Sequence, residues 1–329
     1  MTKHTPRIGF PVQILSRPDL KSHDTRRWSS DPHLRISLQY LREIFDYLSE
    51  ADINMYRLAA GLVPYATHPD LPQFHSQIEE CTSELAETGR VARERDIRLS
   101  FHPGQFIVLN APDDDLASRS AADIEVQANV LESMGLDDNA VVVVHIGGVY
   151  NNKVEAIKRF AARYSQLSQT AQRRLVVEND DQRFGVDDVL VLHDLVGIRV
   201  VFDAHHHLCF NPSGLDPQDA VNLCLETWQG WEAHPKIHFS SPRTDWGFRY
   251  GSENGRQSPN WRSHAEFIDP FQFIQFYQSI IEVAPDVMLE AKAKDIAVRQ
   301  LKRDLQSYAP DLADLFVINE EMVLTKDKA

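Results

Sequence analysis

A single (β/α)8 barrel is the fold this sequence predicts, and three observations predict it. Short β-branched runs alternate with amphipathic stretches eight times along the 329 residues. Six of those runs in succession end in His, Asp or Glu, as expected of a barrel that carries its functional side chains at the C-terminal ends of its strands. No low-complexity segment or Gly/Ser linker divides the chain, which favours one domain. A doubly wound sheet is the second reading, because it uses the same alternation and differs in strand order, which a sequence does not display.

Residues 7–11 read as the first strand, and Leu34, Leu38, Leu41, Phe45 and Leu48 follow at 4-3-4-3 spacing as one face of a helix. Residues 54–58 form the second strand, with a helix over residues 73–95 behind it. The third strand covers residues 98–102, and its helix ends at Gly135, which suits a C-cap. Residues 141–145 are the fourth, with Val154, Ile157, Ala161 and Tyr164 marking its helix. Residues 175–178, 200–203, 236–239 and 287–290 supply the fifth to eighth. The barrel is assigned residues 1–306 and a C-terminal extension residues 307–329, whose Leu315-Phe316-Val317-Ile318 is expected to pack against the barrel base.

Composition narrows the function. Three cysteines, Cys81, Cys209 and Cys224, without Cys-x-x-Cys spacing argue against a disulfide framework or a zinc ribbon and fit a reducing cytosol. No apolar run approaches the ~18 residues of a spanning helix, and the N-terminus has no signal-peptide core, so a cytoplasmic, monomeric protein without a membrane partner is expected. The net charge of −14 alone argues against nucleic acid. Bound divalent cations would offset it locally, and residues 1–30 are basic, with Lys3, Arg7, Arg17, Lys21, Arg26 and Arg27 against Asp19 and Asp24.

The strand ends carry the chemistry. Val200-Val201-Phe202-Asp203 runs into His205-His206-His207, and the neighbouring ends are His102, His145, Glu178, His238 and Glu290. Any one of these fits a satisfied structural role as well as a ligand role. So many polar groups converging on one rim would be costly to desolvate without a cation, and His with carboxylates is ligand chemistry for Zn, Mn or Fe. Alternation along a strand puts Lys236 on the same face as His238. An ammonium beside a cation site is repelled, so Lys236 is set back, paired with Glu290 or Asp203, or modified.

These residues fall within motifs that resemble the UV damage endonuclease family (UvdE type), relatives of the endonuclease IV-like barrels. The motifs are Ile8-Gly9-Phe10, Tyr56-Arg57-Leu58, Pro64-Tyr65-Ala66-Thr67-His68-Pro69, His102-Pro103-Gly104-Gln105-Phe106 and His145-Ile146-Gly147-Gly148. They continue with Glu178-Asn179-Asp180, Phe202-Asp203-Ala204-His205-His206, Pro235-Lys236-Ile237-His238, Arg262-Ser263-His264 and Leu289-Glu290-Ala291-Lys292. The resemblance implies a DNA repair enzyme that nicks double-stranded DNA on the 5′ side of ultraviolet photoproducts. It implies two or three divalent ions, manganese foremost, with zinc, magnesium and cobalt as alternatives. The implied ligands are His68, His102, His145, Glu178, Asp203, His206, His238, His264 and Glu290. Glu178, Asp203, Glu290 and Lys236 are the implied catalytic set, and Lys236 aligns with a lysine that is carboxylated in a characterised relative. His205 and His207 are left as residues that orient ligands or face DNA.

DNA or lesion contact is assigned to Phe10, Arg57, Gln105, Phe106, Arg243 and Arg249. Gln105-Phe106 follows a Pro103-Gly104 turn and can project from the barrel top to fill the gap left by a flipped photodimer. Residues 240–263 interleave Arg243, Arg249, Arg256 and Arg262 with Trp246, Tyr250 and Trp261, a composition suited to backbone contact and stacking. Three other functions compete. A sugar isomerase or epimerase would have an enclosed pocket and no basic rim. An abasic-site endonuclease would share the metal chemistry, and a damage-binding protein without catalysis would not need several metals.

Overall fold

Every residue of the strand Val141–His145 is buried except the last, and so is every residue of Arg199–Asp203. Strands covered on both faces are what a parallel barrel requires, one face turned to the barrel interior and the other to the helices. The computed structural model describes residues 4–104, 106–245, 247–248 and 256–316. Its barrel strands are β1 (Ile8–Pro11), β2 (Met55–Arg57), β3 (Arg98–Phe101), β4 (Val141–His145), β5 (Leu175–Glu178), β6 (Arg199–Asp203), β7 (Lys236–Phe239) and β8 (Asp286–Leu289). All neighbouring pairs are parallel, and β8 pairs with β1 to close the ring in sequence order. That closure excludes the doubly wound alternative.

The principal helices are α1 (Leu34–Glu50), α2 (Thr82–Glu94), α3 (Asp114–Ser133), α4 (Lys153–Tyr164), α5 (Val186–Val196), α6 (Ala204–Cys209), α7 (Pro217–Glu226), α8 (Pro270–Ser279) and α9 (Lys294–Tyr308). On α1 the five residues at 4-3-4-3 spacing are all buried. Gly135 follows α3 with φ +63°, and its N–H donates to the Glu132 carbonyl at 2.8 Å. The helix expected over residues 73–95 is broken instead into a 3-10 turn, one short helical turn and α2. Buried Gln77 lies just after the first of these breaks: its amide nitrogen donates to the carbonyls of Pro64 and Phe74, and its oxygen accepts from the Leu34 N–H. Among the described residues, no helix is long and apolar enough to cross a membrane.

Alternation along the strands sorts the core. Val142, Val144, Val177, Phe202, Ile237 and Leu289 join the helices in the large outer cluster. Val141, Val143, Val176 and Val201 form a smaller cluster inside the barrel, with Trp228 and Ala233 below them. Gly9 lets β1 approach β2, since a Cβ there would lie 1.8 Å from the Met55 carbonyl oxygen. Arg98 closes the barrel base, donating to the carbonyls of Asn139 and His234 and to Asp286. The boundary drawn at residue 306 cuts α9, which runs to Tyr308. Beyond it Phe316 packs on Phe273 and Tyr277 of α8, and residues 317–318 lie outside the described residues.

Candidate metal centre

Alternation delivers the polar rim. On β4 the inward residues are Val141, Val143 and His145, and on β5 Val176 and Glu178, so each strand changes from apolar to ligand-bearing in one step of two residues. The register sets His145 beside Glu178 and Asp203 beside His238. Glu178, fully buried, is the hub. Its carboxylate lies 3.1 Å from His102 Nε2, 3.0 Å from His238 Nδ1, 3.3 Å from His206 Nδ1 and 3.9 Å from His145 Nε2. Glu290 joins from the other side, 3.4 Å from His238 Nδ1 and 4.0 Å from His264 Nε2.

Backbone carbonyls orient several of these rings. His102 Nδ1 sits 3.1 Å from the Pro103 carbonyl and His206 Nδ1 2.9 Å from that of Asn179, contacts that fix the orientation of both rings. Asn179, a motif residue without an expected role of its own, clamps the rim: its side chain donates to the Asp203 carbonyl and accepts the Asp203 N–H, at 3.1 and 2.9 Å. A buried amide directly after a strand-end carboxylate was the available signal. Asp203 caps α6 by accepting the His206 N–H at 2.7 Å through Oδ1, which leaves Oδ2 free.

The donor set fits a cation. Glu178 Oε1, Asp203 Oδ2, His238 Nδ1 and His264 Nδ1 are buried without a hydrogen bond, although His238 Nδ1 and Glu178 Oε1 are close. Buried polar atoms left this way are costly, and those of Glu178, Asp203 and His238, which lie together, are what a cation would satisfy. Two groups, His102–His145–Glu178 and Glu178–Asp203–His238, each bring one ligand atom per residue within 4.8 Å of the others, and they share Glu178. Burial pushes the Asp203 carboxyl up to about 6 and the His238 imidazolium down to about 3. Burial opposes charge on His206 as well, but Asp203 and Glu178 outweigh it and raise the imidazolium to about 11.

Lys236 is fully buried beneath this layer and donates to Ser100 Oγ at 3.0 Å. It is set back and forms no ion pair with Glu290 or Asp203. Burial, reinforced by Arg57 and Arg98, drives its amine far below the ordinary lysine range toward the neutral form.

Other expected residues lie elsewhere. His68 is in the exposed loop after β2, its Nδ1 accepting the Asp70 N–H at 3.3 Å, and among the described residues no hydrogen bond or ion pair ties it to the rim. Phe10 does not face DNA: it points outward from β1 into the helical layer, fully buried and edge-on to Tyr56 at 5.6 Å. Arg57 also turns inward, bonding Glu290 and His238 Nε2. His207 is buried and bonds the Leu215 carbonyl at 3.1 Å, so it is structural rather than DNA-facing. Buried His205 is 3.2 Å from the Arg262 carbonyl and its ring lies 5.1 Å from that of His264, steadying the segment that carries this residue.

Phe106 projects as expected, with 77% of its surface exposed. Beside it a cleft of about 320 Å³ is lined by His102, Ile107, His145, Asp181, Arg183 and His206. Arg243 is half-buried and paired with Asp245. Gln105, Arg249, Trp246 and Tyr250 lie outside the described residues.

Comparison with known proteins supplies a family. The family model described as UV-endonuclease UvdE matches residues 27–315. The UV DNA damage endonuclease of Clostridium perfringens is 31% identical over 274 residues, covering 82% of this chain and 63% of that protein, so the chain spans less than two thirds of that relative. The UV DNA damage endonuclease of Bacillus mycoides is 31% identical over 277 residues, covering 82% of this chain and 81% of that protein. The crystal structure of SacUVDE superposes with a TM-score of 0.76 at 28% identity, over 92% of this chain and 98% of that one. A 3-keto-D-glucoside 4-epimerase from E. coli, at 12% identity and TM-score 0.53 over 92% and 99% of the two chains, shares the barrel fold alone. This chain belongs to the UV-endonuclease UvdE family.

Proposed function

We propose that this chain is a metal-dependent endonuclease that cuts the phosphodiester immediately 5′ of ultraviolet photoproducts, cyclobutane dimers and 6-4 products alike, leaving a 3′-hydroxyl and a 5′-phosphate. The observation that carries the reading is the set of buried, unpartnered donor atoms around Glu178, in a chain of this family. His102, His145, Glu178, Asp203, His206, His238, His264 and Glu290 would hold two or three divalent ions, with manganese the first candidate and zinc, magnesium or cobalt the alternatives. Such ions supply a hydroxide at neutral pH and offset charge on the attacking and leaving oxygens.

The residues of the chain then have distinct tasks. Glu178 is the carboxylate common to both ligand groups and keeps the imidazoles gathered about one point. Asn179 and the carbonyl of Pro103 hold Asp203, His206 and His102 in the orientations that direct their free atoms inward. Arg57 offsets the charge of Glu290 at the wall of the site. Lys236, neutral and shielded from water, is suited to add carbon dioxide at Nζ, losing a proton and becoming a carbamate anion that faces the ligand layer. Phe106 is placed to stack in the helix where a photodimer has been extruded. The exposed loop position of His68 offers no support for a role as ligand.

The deciding experiment is nicking of ultraviolet-irradiated supercoiled plasmid with Mn²⁺, beside unirradiated plasmid and an EDTA control. Nicking confined to irradiated DNA and abolished by EDTA is expected. Equal nicking of both plasmids, or none, overturns the reading. Nicking only of plasmid bearing abasic sites would replace it with the abasic-site activity.

A further inference from the structure

Two hollows open at the barrel top on either side of one loop, and among the described residues each is lined by one lysine or arginine. β3 lies between β2 and β4 in the ring, so the loop that follows it stands between the loops that follow those two strands. On the β4 side is the cleft of about 320 Å³ that holds His102, His145 and His206, and its cation is Arg183. On the β2 side is a hollow of about 580 Å³, with Phe106, Tyr65 and His68 in its wall, and its cation is Arg119 of α3. Pro103, Gly104 and Ile107 line both hollows and form the partition between them.

The partition is fastened on both sides. The Val108 N–H donates to Ser120 Oγ, next to Arg119 on α3, at 3.0 Å, and Asn110 Nδ2 donates to the Gly148 carbonyl beyond β4 at 2.8 Å. The backbone of Arg183 is pinned as well. Asp180 Oδ1 accepts the N–H groups of Gln182 and Arg183, and the Asp180 N–H donates to the carbonyl of fully buried Phe184 at 2.8 Å. The nearby carboxylates have other partners: Asp180 serves that turn, Asp181 accepts from the Gln182 amide, and Asp123 accepts the Thr67 hydroxyl. Arg119 and Arg183 are exposed, and neither makes a hydrogen bond or ion pair with a described residue. A protein with a net charge of −14 thus presents two uncompensated guanidinium groups, one on each side of the loop that carries Phe106.

We propose that Arg119 and Arg183 bind backbone phosphates of the DNA on the two sides of the point where Phe106 enters, a clamp that rests on the endonuclease reading above. Inserting a ring between stacked bases costs a few kcal/mol, and phosphate contacts flanking the opened step offset it. Arginine suits the task better than lysine, because its planar fork meets two phosphate oxygens at once. Contacts to phosphate position the duplex and carry no information about the lesion. Phe106 therefore selects the damaged step, while the two arginines set the affinity for damaged and intact duplex alike.

Fluorescence anisotropy of a labelled, unirradiated duplex across a NaCl series tests the clamp in the full chain. The variants are Arg119→Met, Arg183→Met, the double Met variant, the two corresponding Lys variants and, as a remote charge control, Lys158→Met, whose lysine pairs with Glu155 on the surface of α4. Each single Met variant should lose about tenfold in affinity, and its slope of log affinity against log salt should fall by about 0.9, or by about 1.8 in the double variant. Competition by irradiated and intact duplex should give the wild-type ratio in all of them. The Lys variants and Lys158→Met should keep the slope, and all should melt with the wild type, since these side chains are exposed. A wild-type slope in the double variant overturns the clamp, as does an equal loss in Lys158→Met or a slope that lysine fails to restore. Wild-type nicking of irradiated plasmid, assayed in parallel, keeps the two readings apart. A lost slope without nicking leaves the phosphate contacts standing and sinks the endonuclease, whereas nicking with an unchanged slope sinks the clamp alone.

Discussion

Replacing Glu178 by glutamine tests the proposed metal centre at its hub, because the change removes a charge while keeping shape. In the metal-free protein two effects oppose each other. The variant loses the charge-assisted hydrogen bond to His102, at about 1.5–3 kcal/mol, and the weaker attraction of the anion for the rings of His206 and His238. It is also spared the burial of an anion with no exposed surface, worth several kcal/mol. The net change should lie within about 3 kcal/mol either way, which for a domain of this size moves the melting temperature by no more than ~10 °C. The response to metal is different. At a Mn²⁺ concentration about 100 times its dissociation constant, the wild type should gain about 2.7 kcal/mol. Glu178→Gln should gain little, because both donor groups lose the ligand they share. Differential scanning fluorimetry with EDTA or Mn²⁺ measures this, and plasmid nicking should fall by at least ~10³-fold, beyond the loss of one oxyanion-hole donor in other enzymes. Full nicking together with a wild-type metal response would refute the assignment of Glu178.

Phe106→Ala should leave folding within about 0.5 kcal/mol of wild type, since the ring is 77% exposed, and should lower selectivity for irradiated over intact duplex by ~10-fold or more. Equal selectivity in a competition assay would show that the ring only covers its own loop. Asp286 at the barrel base gives a pH prediction. Burial opposes its ionisation, but His4, Arg98 and Arg7 outweigh this and hold the carboxyl well below its ordinary range. Its contribution is therefore full above the unfolded value of about 4 and is lost as the pH falls from there toward the lower folded value. Asp286→Asn, which leaves buried Arg98 without its anion, should cost about 3 kcal/mol in urea denaturation at pH 7 and progressively less below pH ~4. A difference independent of pH would count against the network. Lys236 should show a carbamate signal by ¹³C NMR in labelled bicarbonate that is absent from Lys236→Met, and a bare amine in the wild type would remove the modification.

The barrel was legible because its strands are short and buried on both faces, and because His102, His145, Glu178, Asp203 and Glu290 end or directly follow such runs. The intervals that misled were those where one side chain overrode local propensity. The helical stretch after β2 scans as continuous, and at the first of its two breaks stands the buried Gln77, bonded to two carbonyls and the α1 N-terminus. A single glutamine in an amphipathic pattern carries no mark of that role.

The same physics separates the site residues that could be read from those that could not. Period-two alternation sends Glu178 and His238 inward, but it also sends Phe10 outward, so a motif residue beside a site motif is not thereby in the site. Arg57 shows a further limit: a basic side chain at a strand end reads as a DNA contact, yet in the fold its guanidinium turns inward to Glu290 and His238. The histidine triplet divides for a related reason. Asp203 caps α6, which fixes the helix phase and turns His206 toward Glu178 while His205 and His207 meet the carbonyls of Arg262 and Leu215. Helix phase is set by the cap and not by the identity of three equal neighbours. Composition and spacing alone therefore had no means of choosing among them.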